Sequence, residues 1–131
     1  MKQLTWVRRD VVLAIHRRQI AEHGGLHGIR DEGLLDSALA RPRNLAAYAD
    51  EPSLAELAAA YAYGLAANHP FADGNKRTAF VICRLFLELN GQSLRASPEE
   101  KYLTFLALAA GEISEEQLGR WLSERLVAVT P

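Results

Sequence analysis

The sequence has one cysteine and one methionine in 131 residues. A single thiol, Cys83, closes no internal disulfide and builds no thiolate zinc cluster, which fits a reducing compartment. Charge of one sign is also missing. Fifteen basic residues face sixteen acidic ones, for a formal net charge of -1. Binding driven by phosphate neutralisation usually brings a basic surplus, so no direct nucleic-acid partner is expected. No apolar run approaches the roughly 18 residues of a membrane helix. The longest apolar stretch, Ala79–Leu89, is broken by Arg84 and Glu88, and no membrane partner is expected. From Met1 to Trp6 no apolar segment precedes Arg8, Arg9 and Asp10, so no signal peptide is expected and the cytoplasm is the expected location. Repeats, low-complexity tracts and linkers are absent. What remains is a composition of 49% hydrophobic and 24% charged residues. That is globular composition, at a length that suits one domain over residues 1–131.

The chain reads as helices. Ser53-Leu-Ala-Glu56 and Ser114-Glu-Glu-Gln117 are capping-box patterns, in which the serine oxygen and the residue three later satisfy each other's amides. Ser97-Pro98-Glu99-Glu100 repeats the pattern with proline at the first helical position, where its missing N–H costs nothing. Each box precedes an apolar stripe: Ala58, Tyr61, Ala62, Leu65 and Ala66; Leu103, Leu106, Ala107 and Ala110; Leu118, Trp121, Leu122 and Leu126. Gly91 and Gly111 are natural C-terminal stops. Nearer the start, Thr5 or its neighbour is expected to cap a helix to about Glu22, with Val7, Val11, Ala14, Ile15 and Arg18 on one face. Gly24 and Gly25 end it. Asp31 is expected to cap a short helix stopped by Pro42. Gln92–Ala96 is the one extended candidate. The expected fold is all-α, a compact single-domain bundle of about six helices.

The segment His69-Pro70-Phe71-Ala72-Asp73-Gly74-Asn75-Lys76-Arg77-Thr78-Ala79 carries the chemistry. Pro70 and Gly74 make it a loop, and Gly74 allows close approach of backbone to a ligand. Asn75 is a candidate cap for the helix that follows. A helix N-terminus offers unpaired amides and a positive dipole end, which suit phosphate. Lys76 and Arg77 stand in that first turn, where the dipole alone disfavours cations. Two cations there make sense when an anion binds. Asp73 is a hard oxygen ligand suited to Mg²⁺. His69 can accept a proton near neutral pH. Singly, each has an ordinary reading: a histidine at a helix end, an Asp-Gly turn, a solvated basic face. Jointly they are the parts of a phosphoryl or nucleotidyl transfer site.

The loop resembles the signature of the Fic family, His-Pro-Phe-x-(Asp/Glu)-Gly-Asn-Gly-Arg-x-x-Arg. The matches are His69, Pro70, Phe71, Asp73, Gly74, Asn75 and Arg77. Lys76 replaces the second glycine and Phe80 the second arginine. Asn75-Lys76-Arg77-Thr78-Ala79 is instead similar to the Doc (death on curing) branch. His23-Gly24-Gly25, Gly28, Asp31, Ser97-Pro98-Glu99 and Gly111-Glu112-Ile113-Ser114 extend that likeness nearly end to end.

The resemblance implies a Fic/Doc bundle and the toxin of a toxin–antitoxin pair. It implies a protein kinase that moves the γ-phosphate of ATP, with Mg²⁺, to a threonine hydroxyl of elongation factor Tu, which inhibits translation. By position, His69 would be the general base. Asp73 would hold the metal, and Gly74, Asn75, Lys76 and Arg77 would hold the phosphates. Most Fic proteins transfer AMP instead. Lys76 and Phe80 change the charge and bulk around the anion site and so disturb the usual nucleotide pose. An idle Fic-fold module that only binds nucleotide or a partner is the third reading. The inhibitory string Ser/Thr-x-x-x-Glu-Gly/Asn of many Fic proteins is absent. Restraint is therefore expected in trans, from a Phd-type antitoxin whose partly disordered tail folds onto the toxin as a helix.

Overall fold

The computed structural model describes residues 3–129; Met1, Lys2, Thr130 and Pro131, the ends of the expected 1–131 domain, lie outside the described residues. Among the described residues six helices form: α1 (Arg9–His23), α2 (Glu32–Tyr48), α3 (Leu54–Ala67), α4 (Asn75–Leu89), α5 (Pro98–Ala109) and α6 (Glu115–Ser123). No helix among the described residues is long and apolar enough to cross a membrane.

All three capping boxes are present, at Ser53/Glu56, Ser97/Glu100 and Ser114/Gln117. Asp31 caps α2 by accepting from the Leu34 amide at 2.9 Å. Helix α3 is the centre of the molecule. Ten of its fourteen residues are buried, so its core face is far wider than one stripe. It packs against α2, α4, α5 and α6. Around it, Phe71, Ile82, Phe86, Phe105, Leu118 and Leu122 complete a single apolar core.

Five expectations are corrected. Helix α1 starts at Arg9 behind Arg8 and no side chain caps it. Thr5 instead exchanges two backbone bonds with the Asn90 side chain, each at 2.9 Å. The buried face of α1 is Val12, His16 and Ile20, one residue round from the expected Val11 and Ile15. In α5 the buried residues are Phe105 and Leu108, while Leu103 and Leu106 are exposed. Pro42 does not stop α2, which runs on to Tyr48. A proline ring fits helical φ, and its cost is the lost N–H bond to the carbonyl four residues back, here Ala38. Ala38 lies where α3 passes close by: a Cβ on Gly64 would meet the Ala38 Cα and Cβ at 3.0 Å. Finally, Leu126 belongs to a strand. Gln92–Leu94 (β1) pairs antiparallel with Leu126–Ala128 (β2), in the register Ser93 opposite Val127.

Candidate active site

The loop between α3 and α4 is held from three sides. Its first residue, His69, has φ of +50°. A non-glycine residue in that region costs on the order of 1–3 kcal/mol and needs support from its surroundings. Support comes from the segment before α2. The Arg30 guanidinium donates from Nε to the His69 carbonyl at 2.7 Å and from an Nη to the Asn68 carbonyl at 2.9 Å. The Arg30 and Asp31 amides both donate to the Pro70 carbonyl, at 2.8 and 3.1 Å. Ile29 bridges to Phe71, and the Ala72 amide donates to Gly28.

From beneath, Phe71 is fully buried, and the His16 ring stacks on it at 3.8 Å between centroids. His16 Nε2 lies 2.8 Å from the Asp73 carbonyl oxygen, so the tautomer with the proton on Nε2 donates to it. Burial holds the His16 pKa below its usual value, which favours this neutral form.

From inside, Asn75 closes the loop on itself. Its Oδ1 accepts from the Phe71 amide at 2.9 Å and its Nδ2 donates to the Phe71 carbonyl at 3.0 Å. The N-cap of α4 is therefore not Asn75. It is Gly74, in the left-handed region at φ +73°, where a Cβ would also meet Ile20 Cδ1 at 3.0 Å.

These bonds sort the expected phosphate ligands. The Asn75 side chain is consumed by Phe71, and the Gly74 amide already donates to Asp73 Oδ1 at 2.9 Å. What faces an anion is the first turn of α4, where the amides of Asn75, Lys76 and Arg77 have no acceptor within the helix. The Lys76 and Arg77 side chains join them. Neither forms a salt bridge among the described residues. His69, Asp73, Gly74, Asn75, Lys76 and Arg77 line one cleft of about 380 Å³, together with Ala72 and Ala109. All six expected site residues are thus brought together. Lys76 leans to one edge of the cleft, its Nζ 4.9 Å from the centre of the Tyr102 ring.

Phe80 is not in this cleft. It packs edge-on against Phe105 at 5.1 Å and lines a neighbouring groove. Phe80 therefore adds no bulk to the cleft that His69 and Asp73 line.

Asp73 is the candidate metal ligand. Oδ1 takes the Gly74 amide and Oδ2 the Leu26 amide at 3.2 Å. Each carboxylate oxygen keeps a second lone pair for a cation. Among the described residues no three His, Cys, Asp or Glu side chains form a metal cluster. One carboxylate beside an anion site fits Mg²⁺ carried by a nucleotide, because Mg²⁺ keeps waters and takes most of its remaining ligands from phosphate.

Two supports escaped sequence reading. His16 carried a signal, since it shares the i, i+4 spacing of Val12 and Ile20. Arg30 carried none, because its partners lie 38 and 39 residues away.

The sequence profile of the Fic/DOC family matches residues 6–87. A relative named protein kinase doc, from Escherichia phage P1, is 39% identical over 105 residues, 80% of this chain and 82% of that protein. Another, named toxin Doc, from Mycolicibacterium smegmatis, is 47% identical over 74 residues, 56% of this chain and 57% of that protein. The chain belongs to the Fic/DOC family. Within it, the similarity to proteins named Doc agrees with the branch that Asn75–Ala79 resembles.

Proposed function

We propose that this chain is a Doc-type toxin that transfers the γ-phosphate of ATP to a protein hydroxyl. The observation that carries the reading is the shared cleft, where His69, Asp73 and two cations without a salt bridge among the described residues, Lys76 and Arg77, meet at the start of α4. The relative named protein kinase doc supports a kinase over an AMP transferase. By resemblance, the acceptor is a threonine of elongation factor Tu.

His69 takes the proton of the attacking hydroxyl. The hydroxyl oxygen bonds to the γ-phosphorus in line with the departing oxygen of ADP. The α4 amides, Lys76 and Arg77 hold the phosphates and offset charge on the transferring group. Asp73 would hold Mg²⁺, which neutralises phosphate charge when bound with the nucleotide. Gly74 keeps the backbone low, so the phosphates can approach α4.

The antitoxin acts in trans. A groove of about 420 Å³ between α1, α4 and α5 suits its tail, with Phe80, Phe105 and Tyr102 as apolar surface and Lys76, Arg77, Arg84 and Lys101 as cations. An acidic amphipathic helix fits such a surface. Lys76 and Arg77 line both groove and cleft, so a bound tail would cover the phosphate-holding cations.

Expression in a bacterial host tests the reading. The wild-type chain arrests growth, and His69→Ala, produced at the same level, does not. Growth arrest by His69→Ala equal to wild type removes His69 from the chemistry.

A further inference from the structure

We infer that Arg30 is a positioning residue that aims His69, an inference that rests on the kinase reading above. The geometry is specific. The Asn68 carbonyl belongs to the peptide plane before the His69 Cα, and the His69 carbonyl belongs to the plane after it. One guanidinium holds both, at 2.9 and 2.7 Å. Two held planes fix φ and ψ of the residue between them, and so fix the direction of its Cα–Cβ bond. That residue has φ of +50°, an uncommon conformation for a non-glycine residue.

The clamp has a rigid base. Arg30 and Asp31 donate their own amides to Pro70, and Asp31 caps α2 through the Leu34 amide. The guanidinium therefore springs from the end of a helix and spans to the end of another. At the C-terminus of α3 a cation also meets the negative end of the dipole. Arg30 forms no salt bridge among the described residues, so its charge is free for this role. The planar fork matters as much as the charge. A lysine ammonium is a point donor that reaches one carbonyl well and does not tie two planes together. Arg30 is absent from the lining of the catalytic cleft, so its loss should leave nucleotide binding intact.

The test compares wild type, Arg30→Lys and Arg30→Met in γ-phosphate transfer from ATP. Alongside, the imidazole Cε1–Hε1 signals of His69 and His16 are followed by NMR. Misaiming a catalytic group by about an ångström costs up to ~100-fold. Arg30→Met should lower kcat by about 10- to 100-fold and leave KM for ATP within about twofold. Arg30→Lys should fall between the two. The His69 signal should move or broaden in Arg30→Met, while the His16 signal, which reports the packing under the loop, stays in place. An active wild type with kcat unchanged in Arg30→Met overturns the inference and leaves the kinase reading standing. So does a His69 signal that does not change. A shifted His16 signal assigns Arg30 to the general fold of the loop and overturns the specific role. A wild-type chain that moves no γ-phosphate overturns the kinase reading, and the inference falls with it.

Discussion

The ring of His16 lies flat against the ring of Phe71, 3.8 Å between centroids and 7° between planes, and its Nε2 reaches the Asp73 carbonyl at 2.8 Å. One side chain of α1 thereby fixes both the buried anchor of the loop and the backbone of its carboxylate residue.

His16→Phe keeps a flat ring and removes the donor. A carbonyl that loses its partner in this part-buried setting costs about 1 kcal/mol. His16→Ala loses the stack as well and leaves a cavity, for about 3 kcal/mol or more. Urea denaturation of the two variants gives the order Ala, then Phe, then wild type, from least to most stable. Equal stability of His16→Phe and wild type would show that the Asp73 bond contributes nothing.

Gly25→Ala should be costly in a way that Gly111→Ala is not. Gly25 has φ of +120°, and a Cβ there would sit 2.7 Å from Asp73 Oδ2. Gly111 has φ of +77° with open space around it. The first substitution strains the backbone and displaces the carboxylate; the second costs about 1 kcal/mol in backbone strain alone. Thermal unfolding orders the two, and the Mg²⁺ concentration for half-maximal transfer should rise in Gly25→Ala only.

Asp73→Asn retains Oδ1 as acceptor for the Gly74 amide, gives up the Oδ2 acceptor of the long, exposed Leu26 bond, and removes the charge. Stability should stay within about 1 kcal/mol of wild type. Transfer should need much more Mg²⁺, because a neutral amide is a far weaker ligand for a hard cation. An unchanged Mg²⁺ titration would confine Asp73 to shaping the turn.

Cys83 is fully buried, and burial pushes its thiol up to about 12. The folded protein should resist thiol reagents at pH 8 and react in denaturant. The unfolded thiol ionises near pH 8.5, so folding loses stability as the pH rises from there toward 12. In Cys83→Ala that component of alkaline destabilisation should be missing, read as the difference between the two pH profiles.

The helices were legible because their signals are local. Three serine boxes and the Asp31 cap involve residues three apart, and each is present as expected. Failures occurred where distant packing chose among local options. Leu103 and Leu106 make as apolar a stripe as Phe105 and Leu108, and the helices packed against α5 decide which is buried. Pro42 reads as a stop until α3 comes so close to Ala38 that a helix continuing through it packs well. In the loop, residue identity pointed to His69, Asp73, Lys76 and Arg77 as candidate site residues, and the structure places them along one cleft. It did not show that the Asn75 side chain and the Gly74 amide are spent within the loop, nor that Arg30 and His16 hold the loop from other elements.

ATP labelled separately at the α- and γ-phosphates decides the central claim. The wild-type chain is incubated with bacterial extract, Mg²⁺ and each label in turn. The γ label alone should appear on protein, and it should be lost in His69→Ala. Label arriving from the α-phosphate would contradict it, making the chain an AMP transferase on the same fold.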